Sequence, residues 1–354
     1  MQDYLWQGGM AERGGDDNRR EEIKGVMNLK GVAERAGVSS STVSRVLSGK
    51  SYVNEKTRAK VLESIKDLHY TPNVLAQALK LGRTNTIALM VPSIHNEIFP
   101  VITRGVEDVA RKLGFTVILC NTDDDAEIEQ DYINKLRTRY IDGFLVASAL
   151  PGSDHMRRLK EEGFPVVLLS RYYDDDIDAV IIDNYQAAFE GVSYLIRSGH
   201  KRIAIACGPR ALSIYEKRYQ GYADALKAAG LKVDPELVIM EVNGTNSFYY
   251  LTQGLLRKGI RPDAIFATSD PKAIVIMRAI VDSGLSIPGD ISVLGFDNIE
   301  MSAFVEPPLS TISQPLYEMG ALGARKLIEL IQGESKPPRT DILGFDLIIR
   351  KSTR

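Results

Sequence analysis

Only two cysteines and four histidines occur in the 354 residues. Cys120 and Cys207 each sit inside an apolar run, so buried, reduced thiols are expected rather than a disulfide or a redox pair. His69, His95, His155 and His200 are scattered and have no Cys or His neighbours at metal-ligand spacing, so no metal site is expected. The acidic runs 123–125 and 174–176 lack the alternating oxygen ligands and glycine turn of a calcium loop and read as solvated loops. No stretch is long and apolar enough to span a membrane, and the N-terminus lacks the basic-then-apolar order of an export signal, so a cytoplasmic protein without membrane contact is expected. A phosphate-cradling glycine loop and a nucleophile-elbow serine are also missing. Without an assignable nucleophile or acid/base pair the chain does not read as an enzyme, and no cofactor is expected.

The charge that is present is unevenly placed. Residues 27–82 carry nine Lys/Arg against four Asp/Glu, whereas the whole chain has a net charge of −2. Positive potential therefore collects near the N-terminus, where phosphates would be met. In that region Leu29, Val32, Ala33 and Ala36 form a short amphipathic helix, with Asn28 as its cap. Gly37 supplies a tight turn, Val38 plugs the angle, and Val43, Val46 and Leu47 give a second helix its apolar side. Ser40, Ser41, Ser44 and Arg45, with Thr42 in the same turns, are left to face outward. Short hydroxyls and a forked guanidinium suit a helix lying in the major groove of DNA. An ordinary surface helical hairpin is the alternative.

A third helix is expected from about Asn54 to His69, with Val61, Leu62, Ile65 and Leu68 inward. Thr71-Pro72 stops it, and Asn73 caps a further helix to Leu81 that is too short to be stable alone in water. Residues 1–26 mix glycines with charges of both signs and show no lasting periodicity, so disorder is expected there.

The run VAERAGVSSSTVSRVLSG, then VNEKTRAKVLESIKDLHYTPNVLAQALKLGRTNTIALMVP, resembles the N-terminal signature of the LacI/GalR family of bacterial transcription regulators. The likeness continues through DNYQAAFEGVSYLIRSGHKRIAI, KRYQGYADAL, GLSIPGDISVLGFDN and PPLSTISQP, covering roughly residues 27 to 350, and Met27 lies where such regulators commonly begin. It implies a homodimeric regulator that binds double-stranded operator DNA under the control of a small molecule, a sugar or sugar derivative. By the same resemblance, Leu79 is a minor-groove wedge in a hinge helix, with Ala76 and Lys80 at the accompanying positions. A linker helix packed on the body is the alternative. Two departures stand out. Gly31 replaces the acidic residue that would complete a capping box, and Ser48 stands where relatives often carry Asn, so that one groove contact is shorter or lost.

From about Thr86 apolar runs alternate with amphipathic helices. Runs at 87–91, 117–120, 144–147, 166–169, 180–182, 203–206, 264–267 and 291–295 read as buried strands of parallel sheets covered on both faces. The expected fold class is therefore α/β, with an all-α helix-turn-helix head at 27–72, a hinge at 73–83 and a body at 84–354. The resemblance adds that the body has two lobes, as in periplasmic sugar-binding proteins. Lobe one is expected at about 84–183 with 310–322, and lobe two at about 184–309 with 323–354.

Open α/β sheets bind ligands at the carboxyl ends of their strands. There Phe99 is expected in a loop, available to stack on a ring, and Ser170 and Arg171 end the fourth strand. The resemblance assigns Arg218 and Asp297 as effector contacts facing one another across the cleft, with Ser269 and Gln314 at further pocket positions. Opposed Arg and Asp suit a polyhydroxylated ligand. Core packing for Phe99, a surface ion pair for Arg218 and a turn or cap for Asp297 are the alternatives. Two other functions stay open: a sugar-binding protein without DNA-linked regulation, and a regulator controlled mainly by a partner phosphoprotein.

Overall fold

The computed structural model describes residues 28–47, 53–70, 83–138, 141–150, 152, 154–172, 176–242, 244–333 and 337–354. Its contacts divide the chain at Thr84/Asn85 into a small N-terminal unit and a large body.

The N-terminal unit is built from α1 (Leu29–Ala36), α2 (Ser40–Leu47) and α3 (Glu55–Asp67). Asn28 caps α1, accepting from the Gly31 amide at 2.9 Å, so the cap forms without the acidic partner of a capping box. Gly37 ends α1 at φ 68°, the left-handed conformation that costs glycine least. Val32, Ala33, Ala36, Val43, Val46 and Val61 make the core. Asn54 caps α3 through the Thr57 amide, and Arg35 Nη2 lies 2.7 Å from Asp67, tying α1 to α3. One expectation fails: Leu62 is exposed, and Ser64 is buried in its place, its hydroxyl donating to the Lys60 carbonyl. The turn of α3 puts residues 61 and 64 on one side, and Leu62 falls off that stripe.

In the body, lobe one carries a parallel sheet in the order β11-β5-β4-β3-β1-β2. Its strands are β1 (Thr86–Val91), β2 (Thr116–Asn121), β3 (Gly143–Val146), β4 (Val166–Leu169), β5 (Asp178–Ile182) and β11 (Thr340–Leu343). Lobe two has the order β12-β10-β9-β8-β6-β7. Its strands are β6 (Ile203–Cys207), β7 (Val238–Met240), β8 (Ala264–Ala267), β9 (Ser292–Asp297), β10 (Ser310–Ser313) and β12 (Asp346–Ile348), of which β12 is antiparallel to β10. Nearly continuous burial along β1, β3, β4, β6, β8 and β9 reflects helices on both faces. Cys120 and Cys207 are buried and unpaired, and burial pushes both thiols up to about 11.

Five helices position the site. They are α4 (Ile98–Lys112) and α5 (Ala126–Arg137) in lobe one, where α6 (His155–Glu161) follows β3, and α7 (Asn184–Arg197), α8 (Ser213–Ala228) and α10 (Asp270–Asp282) in lobe two, where α9 (Ser247–Arg257) follows β7. In lobe one a further helix, α11 (Leu316–Ile331), packs against α4 and against β3, β4 and β5.

The expected lobe boundaries are wrong near the C-terminus. β10 pairs with β9, so 310–313 belongs to lobe two. The whole of α11 lies on lobe one, because Met319, Gly323, Leu327 and Ile331 form one unbroken apolar stripe that cannot be divided between lobes. β11 then joins β5, and β12 returns to lobe two. The chain thus crosses between lobes three times: at Asp183, at Gln314–Pro315 and at Gly344–Phe345.

Candidate functional site

In the N-terminal unit, Val43 and Val46 anchor the inner side of α2, leaving Ser40, Ser41 and Arg45 exposed and Thr42 and Ser44 half-buried. Ser39 organises the start of this helix. Its hydroxyl lies 2.8 Å from that of Ser41 and 2.9 Å from that of Thr42, and it accepts from the Thr42 amide at 3.2 Å. Nothing in the sequence pattern considered above marks this cap, although a Ser one residue ahead of an apolar-periodic run is its usual signal. Ser48, Asn73, Ala76, Leu79 and Lys80 lie outside the described residues.

In the body, Arg218 projects from α8 into a buried polar cluster. Its Nε donates to Asn184 Oδ1 at 2.8 Å, its Nη1 donates to the Thr268 carbonyl at 2.6 Å, and its guanidinium lies 3.5 Å from the centre of the Phe296 ring. Asp297, at the carboxyl end of β9, is 3.8 Å from Arg218 Nη1 and accepts from Gln314 Nε2 at 2.6 Å. Arg218 and Asp297 therefore do not face one another across the cleft. Both belong to lobe two, since α8 follows β6 and β9 lies in the same sheet. The pair is buried rather than on the surface, and Gln314, on a crossing segment, is the group that reaches it.

Electrostatics follow from that burial. Desolvation lowers the Arg218 pKa, with Asp297 opposing the shift. Burial raises Asp297 to about 6, opposed first by Arg218 and then by the Gln314 hydrogen bond. Behind it, Asp270 is raised to about 8 by burial and by the Asp297 charge, although it accepts from Thr311 Oγ1 at 2.6 Å and from the Ile299 amide at 3.0 Å. Asp297 and Asn298 adopt φ of 118° and 58°, so the end of β9 is held in backbone conformations that non-glycine residues seldom use.

Ser269 precedes α10 and lies beside Lys272 of its first turn, with Nζ to Oγ at 3.4 Å. Lys272 Nζ is also 3.2 Å from Tyr215 OH and 3.2 Å from Glu241 Oε2. Burial works against this ammonium, but Tyr215 and Glu241 outweigh it and hold the pKa above the ordinary lysine value. Lys272, Tyr215 and Glu241 were not singled out from sequence. A signal was available: Lys272, Ile276 and Ile280 recur at spacing four on the buried stripe of α10, where a lysine is out of place.

Ser170, at φ 64°, and Arg171 follow β4 as expected, but their partners lie in lobe one. Arg171 Nη1 donates to Asp124 Oδ1 at 2.5 Å and to the Ser148 carbonyl at 3.1 Å. Glu129, buried, meets Ser148 Oγ and, at 2.6 Å, His155 Nε2. The acidic run 123–125 is not a purely solvated loop, because Asp125 caps α5 and Asp124 holds Arg171. Phe99 is in the first turn of α4 rather than in a loop, and it is part of the apolar core beside Ile98 and Ile102. At the rim the lobes touch, with Ser213 Oγ donating to the Tyr172 carbonyl at 3.0 Å.

Among the described residues no helix is long and apolar enough to cross a membrane. Residues 28–73 match the family model for bacterial regulatory proteins of the lacI family, and residues 84–351 match that for periplasmic binding proteins and the sugar-binding domain of the LacI family. The chain is 37% identical over 92% of its length to the HTH-type transcriptional regulator RegA of Clostridium saccharobutylicum, covering 99% of that protein. It is 34% identical to catabolite control protein A of Priestia megaterium, over 91% of this chain and 98% of that one. Among solved structures, the Lac repressor dimer bound to operator and the anti-inducer ONPF superposes with TM-score 0.84 at 29% identity, covering 92% of this chain and 98% of the other. The transcriptional regulator CelR–cellobiose complex gives 0.71 at 32% identity, covering 92% and 99%. Matched by family models at both the small N-terminal unit and the body, the chain belongs to the LacI family of bacterial transcription regulators.

Proposed function

We propose that this regulator is a homodimeric repressor that reads operator DNA with the outer face of α2 and is controlled by a sugar held at the Arg218–Asp297–Gln314 cluster. Ser40, Ser41, Ser44 and Arg45 supply groove-reading chemistry, and two-fold pairing of short recognition helices doubles the number of base pairs read. A second copy has a surface to meet on edge strand β2, where Ile118 and Leu119 are exposed.

One observation carries the control mechanism. Gln314, on the segment that crosses from lobe two back to lobe one, donates to the same carboxylate that faces Arg218. A sugar hydroxyl that takes over part of this hydrogen bonding changes what the crossing segment is tied to. It thereby favours one lobe arrangement, and only such differential affinity shifts the DNA-competent population. Ser269 contributes from the floor of lobe two, and Arg171 and Ser170 contribute from lobe one.

The test is operator binding by gel shift beside isothermal titration with a sugar that elicits a response. Arg218→Ala and Asp297→Asn are expected to retain operator binding without sugar and to need at least ten times more of it for the same response, about 1.4 kcal/mol of lost interaction. Sugar affinity at the wild-type level in both variants would move the site elsewhere.

A further inference from the structure

Among the described residues the buried cations are Arg171, Arg218 and Lys272. Each stands beside its own carboxylate: Asp124 at 2.5 Å, Asp297 at 3.8 Å and Glu241 at 3.2 Å, respectively. An anion brought to lobe two would find both cations already compensated by Asp297 and Glu241, and removing its hydration there is costly without a new partner.

The surroundings of Lys272 indicate what fits instead. An ammonium has three N–H donors, and three oxygens lie within reach: Glu241 Oε2, Tyr215 OH and Ser269 Oγ. A hydroxyl that accepts from an ammonium turns its own hydrogen elsewhere and is strengthened as a donor. Tyr215 and Ser269 therefore become donors, while the half-buried Glu241 remains an acceptor. Glu241 and Ser269 sit just past the carboxyl ends of β7 and β8, and Tyr215 is in the first turn of α8, the helix that follows β6. The strand order of lobe two reverses at β6, between β7 and β8, which is where open α/β sheets place a ligand. Donors and an acceptor side by side match a vicinal diol, whose hydroxyls each donate and accept.

We infer that Tyr215, Ser269 and Glu241, positioned by Lys272, form a second subsite of the cleft that holds an uncharged diol end of a sugar and rejects a carboxylate or phosphate in its place. This rests on the effector reading of Arg218 and Asp297. Lys272 is a positioning residue, balancing Glu241 and orienting the two hydroxyls.

The test is isothermal titration of the full chain with glucose, galactose and ribose beside their anionic counterparts glucuronate, galacturonate and ribose 5-phosphate. At least one neutral sugar is expected to bind, with its anionic counterpart at least tenfold weaker. Glu241→Gln leaves Lys272 uncompensated and should narrow or reverse that gap. Lys272→Met should weaken the neutral sugar at least tenfold without narrowing it. A purely structural role would lower all ligands alike. If Lys272→Met fails to fold, as judged by circular dichroism, Tyr215→Phe removes only the hydroxyl and should still weaken the neutral sugar. The inference is overturned if no neutral sugar binds, if an anionic counterpart binds as tightly as its parent, or if the gap is unchanged in Glu241→Gln. Loss of binding in Arg218→Ala together with wild-type behaviour of the Lys272 and Glu241 variants removes the second subsite alone. Unchanged binding in Arg218→Ala removes the cleft assignment itself.

Discussion

Asp270 and Asp297 share a buried corner in which one arginine faces the second carboxylate, and this makes lobe two sensitive to pH. Both folded-state pKa values lie above the ordinary 3.8, Asp270 at about 8 and Asp297 at about 6, with burial the leading cause. A carboxyl whose folded pKa is raised binds its proton more tightly when folded. Its contribution is therefore fully present below about pH 4 and is lost as pH rises through the folded value. Asp270→Asn removes the group that titrates highest. Urea unfolding at pH 6 and pH 8 should show wild type losing more stability over that interval than the variant. Parallel losses would contradict the assignment. Little of this was legible in the sequence, where Asp297 stood out by resemblance while Asp270 carries no local mark of its burial.

At the scale of elements, helix pairs in the body are set by glycine. A Cβ on Gly320 of α11 would strike the backbone carbonyl of Ile102, and one on Gly105 of α4 would strike that of Tyr317. The two helices thus meet backbone to backbone, and neither position has room for a methyl group. Gly320→Ala should cost about 1 to 3 kcal/mol, the usual penalty of overpacking. Gly254, in a helix spanning Ser247–Arg257, has nothing within 4 Å of the place a Cβ would take, and alanine there should stabilise by about 0.5 to 1 kcal/mol. Chemical denaturation of the two variants should give opposite signs, and equal signs would refute the packing argument. Val/Ile/Leu runs announced eight of the twelve strands described. β7 escaped because VIM is only three residues long, and β10, β11 and β12 because STIS, TDIL and DLI are short and carry polar residues, so nothing local distinguishes them from loops.

At the scale of the whole molecule, the head-and-body division and the paired sheets were legible, while the crossing points were not. A crossover leaves no periodic mark in the chain; it is fixed by which strand finds which neighbour. β10 could be placed only once its register with β9 was known, from Ser310 beside Leu294 to Ser313 beside Asp297. The same crossings make the last residues structural. Ser352 Oγ accepts from the Ser310 amide at 2.7 Å and donates to the Val293 carbonyl at 2.6 Å, closing the edge of lobe two. A chain ending at residue 338 lacks β11 and β12 together. It should lose cooperative thermal unfolding of both lobes, as measured by calorimetry. A surviving independent transition for either lobe would show that its sheet stands without its final strand.

The three crossings also bear on the order in which the protein is made. Lobe one begins with β1 but must wait for α11 and β11, and lobe two cannot close until β12 and Ser352 have followed. On the ribosome, the helices α1 to α3 emerge with their short-range core complete long before either sheet can be finished. Synthesis therefore yields an interval in which the N-terminal unit can fold while the body cannot. The finished pair of lobes is the last feature the nascent chain acquires.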